Sequence, residues 1–193
     1  MAKLYFRYGA MNCGKSTALM QVAFNYKERG MDVLIIKPDI DTKGNNNVIS
    51  RLGIQEEVNI LVGKDMDIRT ELKLNHNDKK ISCLLVDEVQ FMKEEQIDQL
   101  FEIAVKDNIP VICYGLRTDF LMNGFPGSKR LLLLAHSIEE LKTICRCGKK
   151  AVLNARKIDG KFVFEGEQIA IDLENNVEYE SLCASCYYKY KER

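Results

Sequence analysis

Three groups of residues in this chain have types and spacings that can do chemistry. The first lies in GAMNCGKST, residues 9 to 17, where Gly9-x4-Gly14-Lys15-Ser16 has the spacing of a phosphate-binding loop. In such a loop, backbone N–H groups close around phosphate oxygens at the N-terminus of a helix. The glycines let the backbone come close, Lys15 reaches the outer phosphates, and the Ser16 hydroxyl completes a Mg²⁺ shell. Cys13 occupies a variable position, where a small side chain is enough.

The second group ends an apolar run, LLVDEVQF, with two adjacent carboxylates. At the end of an extended strand, successive side chains point to opposite sides. Asp87 is therefore expected to face the phosphate loop and hold the metal's water shell, and Glu88 to face an acceptor. A carboxylate there would orient the acceptor hydroxyl and take its proton during phosphoryl transfer. DEVQ also resembles the DExx box of helicases, but 193 residues are too few for the second motor domain a helicase works against.

The third group is four cysteines in two close pairs, CRCG and CASC, at 145, 147, 183 and 186. Two thiolate pairs separated by a β-like stretch fit a tetrahedral Cys₄ zinc site. A lobe of this size buries little apolar surface, so the metal would stabilise its fold rather than catalyse. C-x-C is tighter than the usual C-x2-C, which leaves a three-cysteine site as the alternative. Cys83 and Cys113 lie within apolar runs and read as core. His76 and His136 lack ligand spacing and read as solvated.

These groups need a scaffold. LYFRY (4 to 8) reads as a strand entering the glycine loop, and residues 16 to 30 as the helix leaving it, ended by Gly30. VLIIKP (33 to 38), CLLVDE (83 to 88) and VICYGL (111 to 116) are apolar runs without alternation, as in strands covered on both faces of a parallel sheet. Residues 93 to 108 form an amphipathic helix between two of them. LLLLA (131 to 135) reads as a further strand. The expected fold is α/β, a mostly parallel, doubly wound sheet over residues 1 to 140, followed by a small β-rich lobe over 141 to 193. Two polar, glycine-bearing stretches, 41 to 53 and 116 to 128, read as substrate-covering loops.

The 28 basic side chains cancel the 28 acidic ones, so net charge gives no pull toward a nucleic-acid polymer. No apolar run approaches membrane-spanning length and the N-terminus lacks a signal-peptide core, so a cytoplasmic location away from membranes is expected. Odd cysteine number argues against a disulfide framework. The C-terminal YYKYKER could stack on nucleic acid and reads more simply as a solvated end.

Taken together, GAMNCGKST, the DTK at 41 to 43, DEVQF, LRTDF, the paired cysteines and YESLC resemble, in order and approximate spacing, the thymidine kinases of the bacterial and animal-cytosolic type. The resemblance covers nearly the whole chain. It implies a P-loop NTPase core of RecA-like type and a zinc-bearing "lasso" lobe that closes over the base. The implied reaction moves the γ-phosphate of ATP to the 5′-hydroxyl of thymidine or deoxyuridine, giving dTMP from thymidine, with ADP as the other product. Mg²⁺ would accompany ATP, and zinc would be structural. Glu88 would be the catalytic base.

The resemblance also carries a residue set. Gly9, Ala10, Met11, Asn12, Cys13, Gly14, Lys15, Ser16, Thr17, Asp41, Lys43, Asp87, Glu88, Val89 and Gln90 would contact ATP, with Ser16 and Asp87 on Mg²⁺. Met11, Gln90, Phe91, Leu116, Phe120, Ile169, Ala170, Ile171 and Tyr179 would contact the nucleoside, with Phe120 against the base. Cys145, Cys147, Cys183 and Cys186 would hold zinc. A homotetramer and feedback inhibition by thymidine triphosphate are further implications. Two other classes compete: a P-loop ATPase driving a partner protein, and a zinc-ribbon nucleic-acid binder switched by ATP.

Overall fold

Alternate side chains of the central strands go to two different cores, which is why those strands read as unbroken apolar runs. The computed structural model describes residues 1–41, 46–76, 80–168 and 176–192. Strand β1 (Leu4–Gly9) leads into helix α1 (Lys15–Glu28) and β2 (Asp32–Pro38). A hairpin of β3 (Asn47–Ile49) and β4 (Gln55–Glu57) precedes β5 (Ile60–Val62), α2 (Ile68–Asn75) and β6 (Ile81–Val86). A 3₁₀ turn (Val89–Phe91), α3 (Glu94–Lys106), β7 (Val111–Leu116), α4 (Pro126–Leu134) and β8 (Ser137–Glu140) complete the larger part.

The strand order is β5-β2-β6-β7-β1-β8, and each of these pairings is parallel. Leu34, Ile36, Leu84 and Val86 join Ile97, Leu100 and Ile103 of α3 on one face. Val33, Ile35, Cys83 and Leu85 join Leu19, Met20 and Ala23 of α1 on the other. Cys83 and Cys113 are buried in these cores, as expected for small apolar thiols. All the strands point one way, so the ends of β1, β2, β6 and β7 meet at one edge, where α/β sheets bind ligands.

Beyond β8 lie β9 (Thr143–Ile144), β10 (Lys150–Ala151), β11 (Leu153–Ile158), β12 (Lys161–Val163), β13 (Val177–Leu182) and α5 (Ala184–Lys191). β12-β11-β13 form an antiparallel sheet and β9 pairs with β10. Their core gathers Cys145, Ala151, Ala155, Leu182, Cys183 and Tyr187.

Some expectations need correction. Residues 131 to 135 are not a strand: Leu131–Leu134 close α4, which starts at Pro126. Four consecutive leucines carry no period of their own, and leucine is a strong helix former. The C-terminal segment is not only a solvated end. It forms α5, with Tyr187 fully buried and its hydroxyl donating to the Phe120 carbonyl at 2.6 Å. His136 is exposed yet partnered: its Nδ1 accepts from the Leu4 N–H at 3.0 Å and its ring stacks on Phe101. The stretch from 116 to 128 is tied down by Asp119, whose Oδ1 accepts from the Leu121 and Asn123 N–H groups.

Candidate active site

The glycine loop is built by close approach and by backbone twist. A Cβ on Gly9 would lie 2.4 Å from the Cys13 Sγ and 2.5 Å from the Leu141 carbonyl oxygen, so no other residue fits. Gly14 takes φ +83°, a left-handed conformation that glycine adopts without strain, and hands the chain to α1. Lys15 is buried at the start of α1, with Nζ donating to the Ala10 carbonyl at 3.3 Å. Ala10, Met11, Asn12 and Cys13 form the body of the loop, and Ser16 and Thr17 open the first turn of α1.

Ser16, Asp41, Asn47, Val48, Ile49, Asp87 and Glu88 line one solvent-open cleft of about 330 Å³ at the strand ends. The sequence thus brings together a helix-start hydroxyl from β1-α1, a carboxylate beyond β2 and two carboxylates beyond β6. Asp87 is 4% exposed, and its Oδ1 has no hydrogen-bond partner among the described residues. Burial, followed by repulsion from Glu88, pushes its carboxyl up to about 7, against a smaller pull from Lys15. A divalent cation between Ser16 and Asp87 would satisfy that oxygen and keep the group ionised, so these residues fit Mg²⁺.

Glu88 departs from the expected strand geometry. It sits at φ 46°, ψ 36°, left-handed for a non-glycine residue, at a cost of about 1 to 3 kcal/mol. The expectation that Asp87 and Glu88 face opposite sides assumed extended backbone. The backbone there is left-handed; both residues are among those lining the cleft, and the Glu88 carboxylate accepts from Gln90. Gln90 Nε2 donates to Glu88 Oε2 at 2.5 Å and its Oε1 accepts from the Leu116 N–H at 3.0 Å. Gln90 is buried, and Gly115 beside it has no room for a side chain: a Cβ would meet Gln90 Oε1 at 2.7 Å. Val89 is buried in the same 3₁₀ turn, and Phe91 packs edge-on against Phe125 at 5.6 Å.

Leu116 and Phe120 are buried, and Tyr179 is half-buried on β13. Lys43 and Ile169, Ala170 and Ile171 lie outside the described residues. In the lobe, the sulfur atoms of Cys145, Cys147, Cys183 and Cys186 all lie within 4.8 Å of one another. Burial raises the Cys145 thiol, but backbone hydrogen bonds from Cys147 and Cys183 together with side-chain ones from Cys147 and Cys186 hold the group at about 7. Four converging thiols of which one ionises readily can hold zinc.

Several residues that sequence reasoning missed join the lobe to the loop. Asn154, buried on β11, accepts the Met11 N–H on Oδ1 at 2.7 Å and donates to the Thr118 carbonyl at 3.0 Å. The Ser181 hydroxyl donates to the Met11 carbonyl, and Thr143 Oγ1 donates to the Asn12 carbonyl at 3.4 Å. Three consecutive peptide units of the loop, 10–11, 11–12 and 12–13, are therefore held by the lobe. Lys37, also missed, is buried at the end of β2 and ion-pairs with Asp41 at 3.2 Å. A lysine in the apolar run VLIIKP was the available signal.

The thymidine kinase family model matches residues 2–187. The chain is 51% identical over 185 residues to a thymidine kinase of Enterobacteria phage T4, covering 95% of this chain and 94% of that one. It is 46% identical over 192 residues to a thymidine kinase of Shewanella oneidensis, covering 98% of both chains. A thymidine kinase of Legionella pneumophila matches at 47% over 194 residues, covering 99% of this chain and 90% of that one. With the glycine loop, the paired carboxylates just after β6 and the four-cysteine lobe in one chain, these matches establish that the protein belongs to the thymidine kinase family.

Proposed function

We propose that this protein transfers the γ-phosphate of ATP to the 5′-hydroxyl of thymidine or deoxyuridine. The observation that carries this reading is the placement of Glu88. Its residue lines the same cleft as Ser16 and Asp87, and Gln90 fixes its carboxylate. The backbone of residues 9 to 17 and Lys15 bind the phosphates, with Asp41 at the cleft wall. Ser16 and Asp87 would hold Mg²⁺, which supplies charge neutralisation across the phosphates when bound.

Glu88 orients the 5′-hydroxyl and accepts its proton as the new P–O bond forms and the bond from the γ-phosphorus to the bridging oxygen breaks, leaving ADP. Met11, Gln90, Phe91, Leu116, Phe120 and Tyr179 bound the nucleoside end. Cys145, Cys147, Cys183 and Cys186 would hold zinc, which would stabilise the lobe over 141 to 193 beside the kinase core over 1 to 140.

Family membership extends the reading to a homotetramer, to thymidine triphosphate as an inhibitor, and to a cytoplasmic location. Among the described residues, no helix is long and apolar enough to cross a membrane.

The test is incubation with ATP, Mg²⁺ and a panel of nucleosides, with separation of the products. Monophosphates of thymidine and deoxyuridine are expected. ATP hydrolysis that needs no acceptor, with no monophosphate formed, would contradict the reading and favour a partner-driving ATPase.

A further inference from the structure

Arg156 is a buried charged residue of the lobe. It lies on β11, only 3% exposed, and its guanidinium carbon sits 3.7 Å from the centroid of the Phe120 ring. That is the spacing of a stacked pair, with the planar cation laid over the ring face. Nε donates to the Tyr179 hydroxyl at 3.1 Å, and Nη2 donates to the Gln168 carbonyl at 3.2 Å. The guanidinium also lies 5.5 Å from the Tyr179 ring centroid.

The electrostatics are unusual for a buried arginine. Arg7, Arg69, Arg130 and Arg146 each pair with a carboxylate. Among the described residues Arg156 has no carboxylate within ion-pair distance, although it is far more buried than those four. Removing a guanidinium from water without a counter-charge is costly. Here the compensation comes from neutral oxygens and an aromatic face, a geometry that a lysine cannot reproduce.

The placement of this group also changes how Phe120 can act. Phe120 is 1% exposed, so in this conformation its ring offers no open face to a base. The ring instead backs the guanidinium, which in turn grips Tyr179 from the neighbouring strand β13, paired with β11 through Arg156 and Tyr179 themselves.

We propose that Arg156 is a positioning residue for the nucleoside end of the site. It locks Phe120 and Tyr179 into one rigid wall through its stacked, forked guanidinium, and so fixes the width of the slot that receives the pyrimidine. This inference rests on the proposed kinase reading and deepens it. It assigns nucleoside affinity to an arginine outside the glycine loop and the acidic strand end.

The experiment compares wild type with Arg156→Lys, Arg156→Met and Tyr179→Phe in steady-state phosphorylation of thymidine, varying nucleoside and ATP separately, with melting temperature and zinc content as controls. Both arginine variants should raise the KM for thymidine by roughly tenfold or more, the scale of one charge-assisted hydrogen bond, and leave the KM for ATP within about twofold. Lysine should not rescue, since it keeps the charge but loses the plane and the fork.

Tyr179→Phe, which removes only the hydroxyl, should raise the thymidine KM by less. Combined with Arg156→Met it should add little, because both changes break the same bond. An unchanged thymidine KM, rescue by lysine, or equal rises in both KM values that track a fall in melting temperature would each overturn the inference. Wild-type protein that forms no nucleoside monophosphate would overturn the kinase reading itself, a result distinct from any of these.

Discussion

Glu88 is held to the end of β7 by the side chain of Gln90: one end of the amide takes the Glu88 carboxylate at 2.5 Å and the other takes the Leu116 N–H at 3.0 Å. The carboxylate belongs to a residue with strained, left-handed backbone, so its direction depends on this fastening. An amide with both ends engaged has few alternative rotamers, which makes the site a preorganised one.

Gln90→Ala should therefore lower kcat by on the order of tenfold, less than loss of Glu88 itself, because the base remains but its direction is no longer fixed. Steady-state kinetics check this. A kcat equal to wild type would show that Glu88 needs no fastening.

Gly115→Ala probes the same contact from the other side. The added Cβ would lie 2.7 Å from Gln90 Oε1 and 2.9 Å from Val89 Cγ1, both within packed surroundings. Overpacking of this kind costs about 1 to 3 kcal/mol, and the shift it forces should lower kcat in the manner of Gln90→Ala. Denaturant unfolding and kinetics on one preparation measure the two effects.

The lobe should influence ATP binding although it sits outside the glycine loop. Asn154 and Ser181 hold the N–H and the carbonyl of Met11. Removal of zinc by a strong chelator should loosen the lobe and weaken ATP binding, as titration calorimetry would record. Asn154→Ala should raise the KM for ATP by about fivefold with zinc retained, the effect of one buried hydrogen bond of about 1 kcal/mol. ATP affinity that is indifferent to both treatments would remove the lobe from the nucleotide site.

Acid sensitivity should be visible away from the site, where Arg69 on α2 grips Asp107 after α3 through two hydrogen bonds of 2.7 and 2.8 Å. Hydrogen bonding to Arg69 lowers the Asp107 carboxyl below its ordinary 3.8. A carboxyl whose folded value is depressed contributes its stability above the unfolded value and loses it as pH falls through the folded one. Arg69→Gln should thus lower stability modestly at pH 7, with the deficit shrinking below pH 3.8. Urea unfolding at pH 7, 4 and 3 measures it, and a deficit independent of pH would contradict the assignment.

Much of this arrangement was legible in the residues. Gly9, Gly14 and Lys15 identify the phosphate loop because the twist and close approach that only glycine allows leave a spacing in the sequence. The β2, β6 and β7 runs were readable because strands buried on both faces need apolar residues at every position. α4 was not readable from LLLLA, since a short leucine run fits helix and strand equally. α5 was hidden because its tyrosines and lysines look like a solvated end until Tyr187 is seen to fill the lobe's core.

Asn154 and Arg156 were missed for a related reason. In LNARKI they read as the polar alternates of a surface strand, and their partners Met11, Thr118 and Phe120 are distant in the chain. Glu88 stands out in LLVDEVQF, and the structure lines one cleft with it, Ser16 and Asp87, but its left-handed backbone leaves no trace in that run. Its backbone conformation was therefore not readable from the sequence.

The claim that Glu88 takes the acceptor's proton during transfer is tested most directly by following the γ-phosphate label of ATP in single turnovers with Mg²⁺ and thymidine, for wild type and Glu88→Gln together. The account predicts label in thymidine monophosphate with wild type. It predicts a loss of roughly 10² to 10⁴ in that rate for Glu88→Gln, with ATP binding retained. Near-normal transfer by Glu88→Gln, or label released as free phosphate by wild type in the presence of thymidine, would contradict it.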